Sequence, residues 1–226
     1  MLIEFDKLDE RFQNDSVKEY YDILKSKTVA LFFKRVFDIV ASLTLIVLLL
    51  PVFVILSVWI AADSKGGVLF KQTRVTKYGK EFDILKFRTM VKDAPLLGSL
   101  VTVGCDPRIT RVGRAIRKCR LDELPQLFNV LAGDMTFVGT RPEVPRYVEK
   151  YTPEMYATLL LPAGITSIAS IKFKDEEQLL TNASDPDKVY TQEVLPKKMV
   201  FNLEYIKEYS FFKDIAICIR TVIGVL

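Results

Sequence analysis

No histidine occurs anywhere in the chain's 226 residues. That excludes Ser-His-Asp triads, imidazole proton shuttles and most zinc centres. Cysteine is nearly as scarce. Cys105, Cys119 and Cys218 are scattered and odd in number, which indicates neither a disulfide framework nor a metal knuckle. No P-loop, GxGxxG or GxSxG pattern is present, so the common glycine-rich phosphate cradles and the serine-hydrolase elbow are missing. The surplus of positive charge is small, at +4. It suits an anionic membrane surface or a phosphorylated ligand and does not by itself argue for nucleic acid. Chemistry in this chain has to run on carboxylates, Arg, Lys and hydroxyls.

Charge is absent altogether from one stretch, the 24 residues from Ile39 to Ala62, with Pro51 near its middle. As a straight helix this run would reach about 36 Å, against about 30 Å of bilayer hydrocarbon. Pro51 removes a backbone donor and clashes with the carbonyl four residues back, so the helix kinks or breaks there. Each half, Ile39 to Leu50 and Val52 to Ala62, is too short to cross alone. A kinked single span and a re-entrant hairpin both stay open on the residues themselves. Basic residues stand on both flanks, with Lys34 and Arg35 before the run and Lys65, Lys71, Arg74, Lys77 and Lys80 after it. A hairpin keeps both flanks on the cytoplasmic side, whereas a span puts one on the wrong side. A cleaved signal peptide is not expected, because the run is too long and no small-residue cleavage site follows.

The remaining pattern predicts an α+β fold, mostly helical. Residues 1–28 are charged and irregular, and predict no more than a short surface helix. Phe32, Phe33, Val36 and Phe37 share a helical spacing with Lys34 and Arg35, which reads as an interfacial entry with basic heads at the phosphates and rings below. Val68 to Thr73 and Phe82 to Phe87 are β-rich runs around Lys77-Tyr78-Gly79 and predict a hairpin. Residues 92–108 are punctuated by Gly and Pro and predict a loop. A helix is expected over 122–131 from the stripe Leu121, Leu124, Leu127, Phe128 and Leu131, with Pro125 in its first turn and Gly133-Asp134 ending it. Pro153 opens an expected helix to Leu161, and Phe211 to Leu226 predicts a final amphipathic helix able to lie on a bilayer.

Asp122 and Glu123 are the first candidates for chemistry. Adjacent acids at a helix start are ordinarily caps. They are also able to attack phosphorus, or to hold Mg²⁺ through oxygen ligands. Gln126 falls on the face of Asp122. A basic set surrounds them: Lys86 and Arg88 in Lys86-Phe87-Arg88-Thr89-Met90, Arg117 five residues before the dyad, and Arg141 in Gly139-Thr140-Arg141-Pro142. Any one of these cations is ordinarily a solvated surface charge; converging, they would bind phosphate oxygens.

Read in order, these motifs resemble a known family. Lys34-Arg35-Val36-Phe37-Asp38, the proline-broken run, Gln72-Thr73-Arg74, Lys86 to Met90, Leu121-Asp122-Glu123-Leu124-Pro125-Gln126-Leu127-Phe128-Asn129-Val130-Leu131, Gly133-Asp134-Met135 and Val138-Gly139-Thr140-Arg141-Pro142 follow one another. Together they are similar to the bacterial sugar transferases, the monotopic polyprenol-phosphate phosphoglycosyl transferases of the small single-domain type. The resemblance runs from Lys34 to Gly164 and loosely onward. It implies a re-entrant helix-break-helix over 34–63 with Lys34, Arg35 and Pro51 as its anchor, and a cytoplasmic catalytic domain over 64–226 with interfacial helices; residues 1–33 lie outside the resemblance and are read from their composition as a surface extension. It further implies that Asp122 attacks the β-phosphate of a UDP-sugar, releasing UMP and holding the phosphosugar as an aspartyl ester. A polyprenol phosphate, expected to be undecaprenyl phosphate, then takes the phosphosugar, the first membrane step of surface glycan assembly. Glu123, with Asp122, would hold Mg²⁺, and Lys86, Arg117 and Arg141 would contact phosphate, with Arg88 and Gln126 grouped beside them on the substrate. Inner-leaflet lipid is the expected surroundings, at the cytoplasmic face of a bacterial inner membrane. No nucleic acid is expected, and a homodimer is left open.

The chain departs from the family pattern in places. Leu50 stands where a Ser commonly precedes the helix-breaking proline, and Thr140 replaces the first Pro of Pro-Arg-Pro. Pro162-Ala163-Gly164-Ile165-Thr166-Ser167-Ile168 differs from the usual Pro-Gly-Ile-Thr-Gly-Trp, so the identity of the sugar is not legible. Two other readings compete. One is a non-catalytic membrane-anchored binding or scaffold protein of the same fold, against which the intact Asp122, Glu123, Lys86, Arg117 and Arg141 argue. The other is a single-span protein with its domain outside the cell.

Overall fold

The computed structural model of the chain describes residues 2–92, 94, 106–173 and 185–225. Helices dominate, and two small sheets hold the centre. Helix α1 (Asp15–Ser26) is capped by the Asn14 side chain, which accepts from Val17 N at 3.0 Å. Its Val17, Tyr20, Tyr21 and Leu24 are buried at the spacing of one helical face. With Leu8 and Phe12 they join the largest core cluster, against a 3₁₀ helix (Glu154–Leu160) and helix α9 (Leu195–Lys207). Residues 1–33 are therefore not a surface extension. Tyr20 and Tyr21 complete, with Val17 and Leu24, a buried face that the charged composition of the segment conceals.

Helix α2 (Thr28–Leu48) and helix α3 (Leu50–Asp63) meet at Leu49 with a 61° bend. Pro51 sits in the first turn of α3, where a missing N–H has no partner to lose. Neither helix is long and apolar enough to cross a membrane alone; the bent pair together has the length and composition. The burial pattern of α2 is inverted relative to a soluble helix. Lys34, Asp38 and Ser42, four residues apart, are buried, while Val40, Leu43, Val47 and Leu48 are exposed. On α3, Leu50, Val54, Ile55, Val58 and Trp59 are exposed as well.

The buried polar stripe ties α2 to the rest of the molecule. Lys34 Nζ donates to Val138 O at 2.7 Å and to Asp214 Oδ2 at 2.6 Å, and Tyr205 Oη donates to Asp214 Oδ1 at 2.7 Å. Asp38 Oδ1 accepts from Phe137 N at 3.1 Å. Arg35 caps the end of helix α5 (Gln126–Ala132), donating to Val130 O at 2.7 Å and Leu131 O at 2.9 Å. The expectation that Lys34 and Arg35 reach lipid phosphates is thus corrected, because both head groups are consumed by internal acceptors.

Strands β1 (Leu69–Val75) and β2 (Glu81–Phe87) form the expected antiparallel hairpin, from Leu69↔Phe87 to Val75↔Glu81. Strands β3 (Met135–Val138) and β4 (Ala163–Thr166) are parallel, and so need a crossover. It is supplied by helix α6 (Pro145–Val148) and the 3₁₀ helix, which replaces the α-helix expected after Pro153. Gly139 and Gly164 pass so closely that a Cβ on Gly164 would lie 2.2 Å from Gly139 N.

Helix α4 (Arg111–Lys118) packs Val112 and Ile116 on Leu56 and Ile60 of α3, with Phe87 of β2 alongside. Asp63 Oδ2 at the end of α3 accepts from Val112 N at 3.1 Å. The expected loop over 92–108 lies largely outside the described residues. Helix α5 starts later than expected, at Gln126 with Pro125 at its N-cap, and ends at Gly133, whose φ of +96° suits glycine. Helices α7 (Ile168–Lys172) and α8 (Pro186–Val189) follow, and a π-helical turn (Tyr190–Val194) leads into α9. Helix α10 (Phe211–Val225) is the expected terminal amphipathic helix. It buries Asp214 and Ile217 and exposes Phe212, Ile219, Val222 and Ile223.

Candidate active site

An open cleft of about 640 Å³ lies where β2, α4, the β3–α6 loop, α7 and α9 converge. Asp122 and Glu123 are on its wall, together with Lys86, Arg117 and Arg141. The acids occupy a 3₁₀ turn (Leu121–Glu123) just ahead of α5, and not the first turn of an α-helix as expected. Glu123 N bonds to Arg120 O at 3.2 Å and Leu124 N to Leu121 O at 3.3 Å. Arg120 enters this turn with φ +52°, in the left-handed region. A non-glycine residue there carries strain that the surrounding structure has to hold, a feature concentrated at functional sites.

The two carboxylates have opposite environments. Lys86 Nζ and an Arg141 Nη both donate to the same Glu123 oxygen, Oε1, each at 2.8 Å. Burial pushes the Glu123 carboxyl up, but Arg141 and Lys86 outweigh it and hold the group well below the ordinary carboxylate range. Asp122, one residue earlier, has no ion pair among the described residues. Burial raises its pKa, and the Glu123 charge adds to this against Lys86 and Arg117. Lys86 is itself lowered by burial, against the pull of Glu123. One carboxylate is a fixed anion with both cations on one oxygen. The other is a poorly stabilised, hence more basic and more nucleophilic, carboxyl.

Arg141 is aimed by its neighbours. Gly139 N bonds to Thr166 O at 3.0 Å, Gly164 N to Thr140 O at 2.8 Å, and Val75 N to Glu143 O at 2.9 Å. Arg74 Nη1 donates to Pro142 O at 3.1 Å, and its other nitrogens hold Gln72 Oε1. Next to this segment Lys198 of α9 donates to Tyr190 Oη at 3.1 Å, and Tyr190 donates to Glu143 Oε1.

Two expected site residues lie elsewhere. Arg88 turns away from the cleft and closes the end of α3, donating to Lys65 O and Ser64 O at 2.7 Å each. Gln126 is buried behind the dyad and does not line the cleft, and its amide atoms find no hydrogen-bond partner among the described residues. Conversely, the cleft includes Arg114, Lys118, Arg120, Ser170, Phe173 and Lys198, which the sequence reading did not select. Arg114 and Lys118, four apart in a basic helix, were visible as a pattern. Nothing in the local sequence around Lys198 points to the site.

Among the described residues, no three His, Cys, Asp or Glu side chains come together as a metal cage. Two adjacent carboxylates, one with both its cation bonds on a single oxygen, still fit Mg²⁺. That ion keeps several waters and takes one or two carboxylates plus substrate phosphates.

A bent, outwardly apolar helix pair with the length and composition to enter a membrane is thus joined to a cation-lined cleft that holds two differently tuned carboxylates. The chain belongs to the bacterial sugar transferase family, whose profile matches residues 29–226. It is 38% identical over 196 residues to the undecaprenyl-phosphate glucose phosphotransferase of Komagataeibacter xylinus, covering 84% of this chain and 35% of that protein. It is 36% identical over 199 residues to the UDP-N-acetylgalactosamine-undecaprenyl-phosphate N-acetylgalactosaminephosphotransferase of Aeromonas hydrophila, covering 86% of this chain and 44% of that one. To the UDP-glucose:undecaprenyl-phosphate glucose-1-phosphate transferase of Caulobacter vibrioides it is 35% identical over 198 residues, covering 85% and 69%. The chain thus spans 35% and 44% of the length of the first two of these relatives.

Proposed function

We propose that this protein transfers a sugar 1-phosphate from a UDP-sugar to a polyprenol phosphate, undecaprenyl phosphate by analogy with its relatives. The observation that carries this reading is the unequal pair: Asp122 without an ion pair and Glu123 clamped by Lys86 and Arg141. An Asp122 carboxylate oxygen attacks the sugar-bearing β-phosphorus. The bond from that phosphorus to the bridging oxygen breaks, and its electron pair leaves with UMP. An oxygen of the acceptor phosphate then attacks the same phosphorus, the Asp122–phosphorus bond breaks, and the carboxylate is regenerated beside a polyprenyl-diphosphate-sugar. No net proton, oxidant or water is required. Lys86, Arg117 and Arg141 balance the diphosphate charge as fixed donors, which need little reorganisation during the reaction. Asp122 and Glu123 are the residues that would hold Mg²⁺, which when bound neutralises diphosphate charge so that a carboxylate can approach.

The bent pair is read as re-entrant, with both feet on the cytoplasmic side of a bacterial inner membrane. Its support is that both ends fasten to one folded body: α2 through Lys34 and Arg35, and α3 through Asp63 and the Arg88 cap. A single span would separate those ends by the bilayer.

The test is UMP release from a panel of UDP-sugars with polyprenyl phosphate and Mg²⁺, followed by trapping with donor labelled in the β-phosphate. Label retained on wild-type protein and lost in Asp122→Asn is the expected result. Full activity of Asp122→Asn would reject the nucleophile, and no UMP release from any UDP-sugar would favour the non-catalytic alternative.

A further inference from the structure

The cations around the cleft outnumber its carboxylates, and they are not equivalent. Lys86 and Arg141 are engaged with Glu123, and Lys198 with Tyr190. Arg114 and Lys118 line the same cleft, are exposed, and have no hydrogen bond or ion pair from their side chains among the described residues. They lie four residues apart on α4, so they present adjacent positive heads from one helical face. A pair of cations facing a cleft without a protein counter-charge is a site for an anionic ligand.

The other side of α4 tells which ligand. Val112 and Ile116 are buried on Leu56 and Ile60 of α3, and Asp63 holds the α4 N-terminus. α4 is therefore fastened to the apolar arm by one side and edges the cleft with the other. The two substrates differ in the direction from which their phosphates arrive. A nucleotide sugar is soluble and approaches from water. A phosphate monoester on a long hydrocarbon chain stays at headgroup level, carries close to two negative charges, and has to be met beside the membrane arm.

We propose that Arg114 and Lys118 form the seat for the phosphate monoester of the lipid acceptor, separate from the Lys86–Arg117–Arg141 group that takes the donor diphosphate. This rests on the transfer reaction proposed above. In that reaction the pair acts only after UMP has left: it holds the acceptor phosphate while one of its oxygens displaces the Asp122 carboxylate from phosphorus. Anionic bilayer headgroups share the same chemistry as a ligand, and the experiment separates the two sources.

Arg114→Gln and Lys118→Gln are made singly and together in the full chain, at exposed positions where folding is not at stake. In uncharged detergent micelles with Mg²⁺, the single-turnover burst of UMP is measured without acceptor, and steady-state KM is measured for polyprenyl phosphate and for UDP-sugar. The double variant is expected to raise the acceptor KM roughly 10- to 100-fold, the scale of one or two lost hydrogen bonds to a charged group. The burst and the donor KM stay within about twofold of wild type by the same reasoning. A burst that falls as much as turnover assigns the pair to the donor and overturns the proposal. An unchanged acceptor KM, with weaker association to phosphatidylglycerol vesicles, assigns it to headgroups and overturns it equally. Absence of any wild-type burst would instead count against the parent reaction.

Discussion

Lys86→Met removes one charge from the cleft while keeping an unbranched apolar stem. In the native protein Nζ lies 2.8 Å from Glu123 Oε1, with the two side chains only 21% and 13% exposed. A hydrogen bond to a charged group in such surroundings contributes about 1.5–3 kcal/mol. Glu123 keeps Arg141, also at 2.8 Å, so its charge is not orphaned and the fold is expected to hold. The effect falls on the charge balance of the dyad. Asp122 is already raised by burial, and Lys86 is the largest influence pulling it back. Without Lys86 its pKa rises further. The sign follows: a nucleophilic carboxylate works ionised, so activity is lost as pH falls through the pKa of the folded site. In Lys86→Met that loss begins at higher pH than in wild type. Near neutral pH, kcat/KM for UMP formation should drop by about 10- to 100-fold, the rate equivalent of 1.5–3 kcal/mol. Lys86→Arg should recover part of it. The assay is UMP release as a function of pH, with circular dichroism on the same samples to establish folding. A wild-type kcat/KM together with an unmoved acid limb would refute the electrostatic account of the dyad.

Other consequences are testable in the same way. Lys34→Met strands Asp214 in a pair whose side chains are 6% and 4% exposed, and should cost about 3–5 kcal/mol. A large fall in Tm is expected, partly restored in Lys34→Met/Asp214→Leu, and a wild-type Tm in the single variant would contradict the buried pairing. Gly164→Ala places a Cβ 2.2 Å from Gly139 N and 2.3 Å from Gly139 O. β3 and β4 then have to separate, and loss of folded protein in detergent is the expected outcome, read by size exclusion. Glu123, held well below its ordinary value of 4.5, contributes stability that is present above that value and lost as pH falls through the folded pKa. Glu123→Gln should flatten the acid limb of the Tm–pH curve, and an unchanged limb would show that the two cations do not clamp it.

Much of this arrangement was legible beforehand because it is local. The β-rich runs on either side of Lys77-Tyr78-Gly79 pair as a hairpin. Gly133 ends α5 where a left-handed residue was needed, and the proline-broken apolar run is bent. Asp122, Glu123, Lys86, Arg117 and Arg141 line one cleft, a grouping that the family resemblance implied and that no local pattern contains. The misreadings share a cause. Lys34 and Arg35 stand at the edge of the apolar run, where sequence makes them headgroup ligands, and Arg88 stands in a basic motif that the resemblance groups with the substrate contacts. Each instead finds internal acceptors that the local pattern does not reveal, on partners up to 180 residues away for Lys34. Residues 1–33 looked like an appendage because half of the buried face of α1 is tyrosine, Tyr20 and Tyr21, whose hydroxyls bond to Glu154 and Ile3 while their rings join Val17 and Leu24 in the core.

What the chain determines by itself is the set of local preferences: where helices break, where a hairpin turns, which segment is too apolar for water, and which residues can do chemistry without histidine. Only tertiary structure decided how the charges are shared. Glu123 meets Lys86 across 37 residues and Arg141 across 18, leaving Asp122 the one acid of the dyad without an ion pair. The reason is physical: a helix or turn is selected by neighbours within a few residues, whereas an ion pair exists only once distant segments have packed and excluded water.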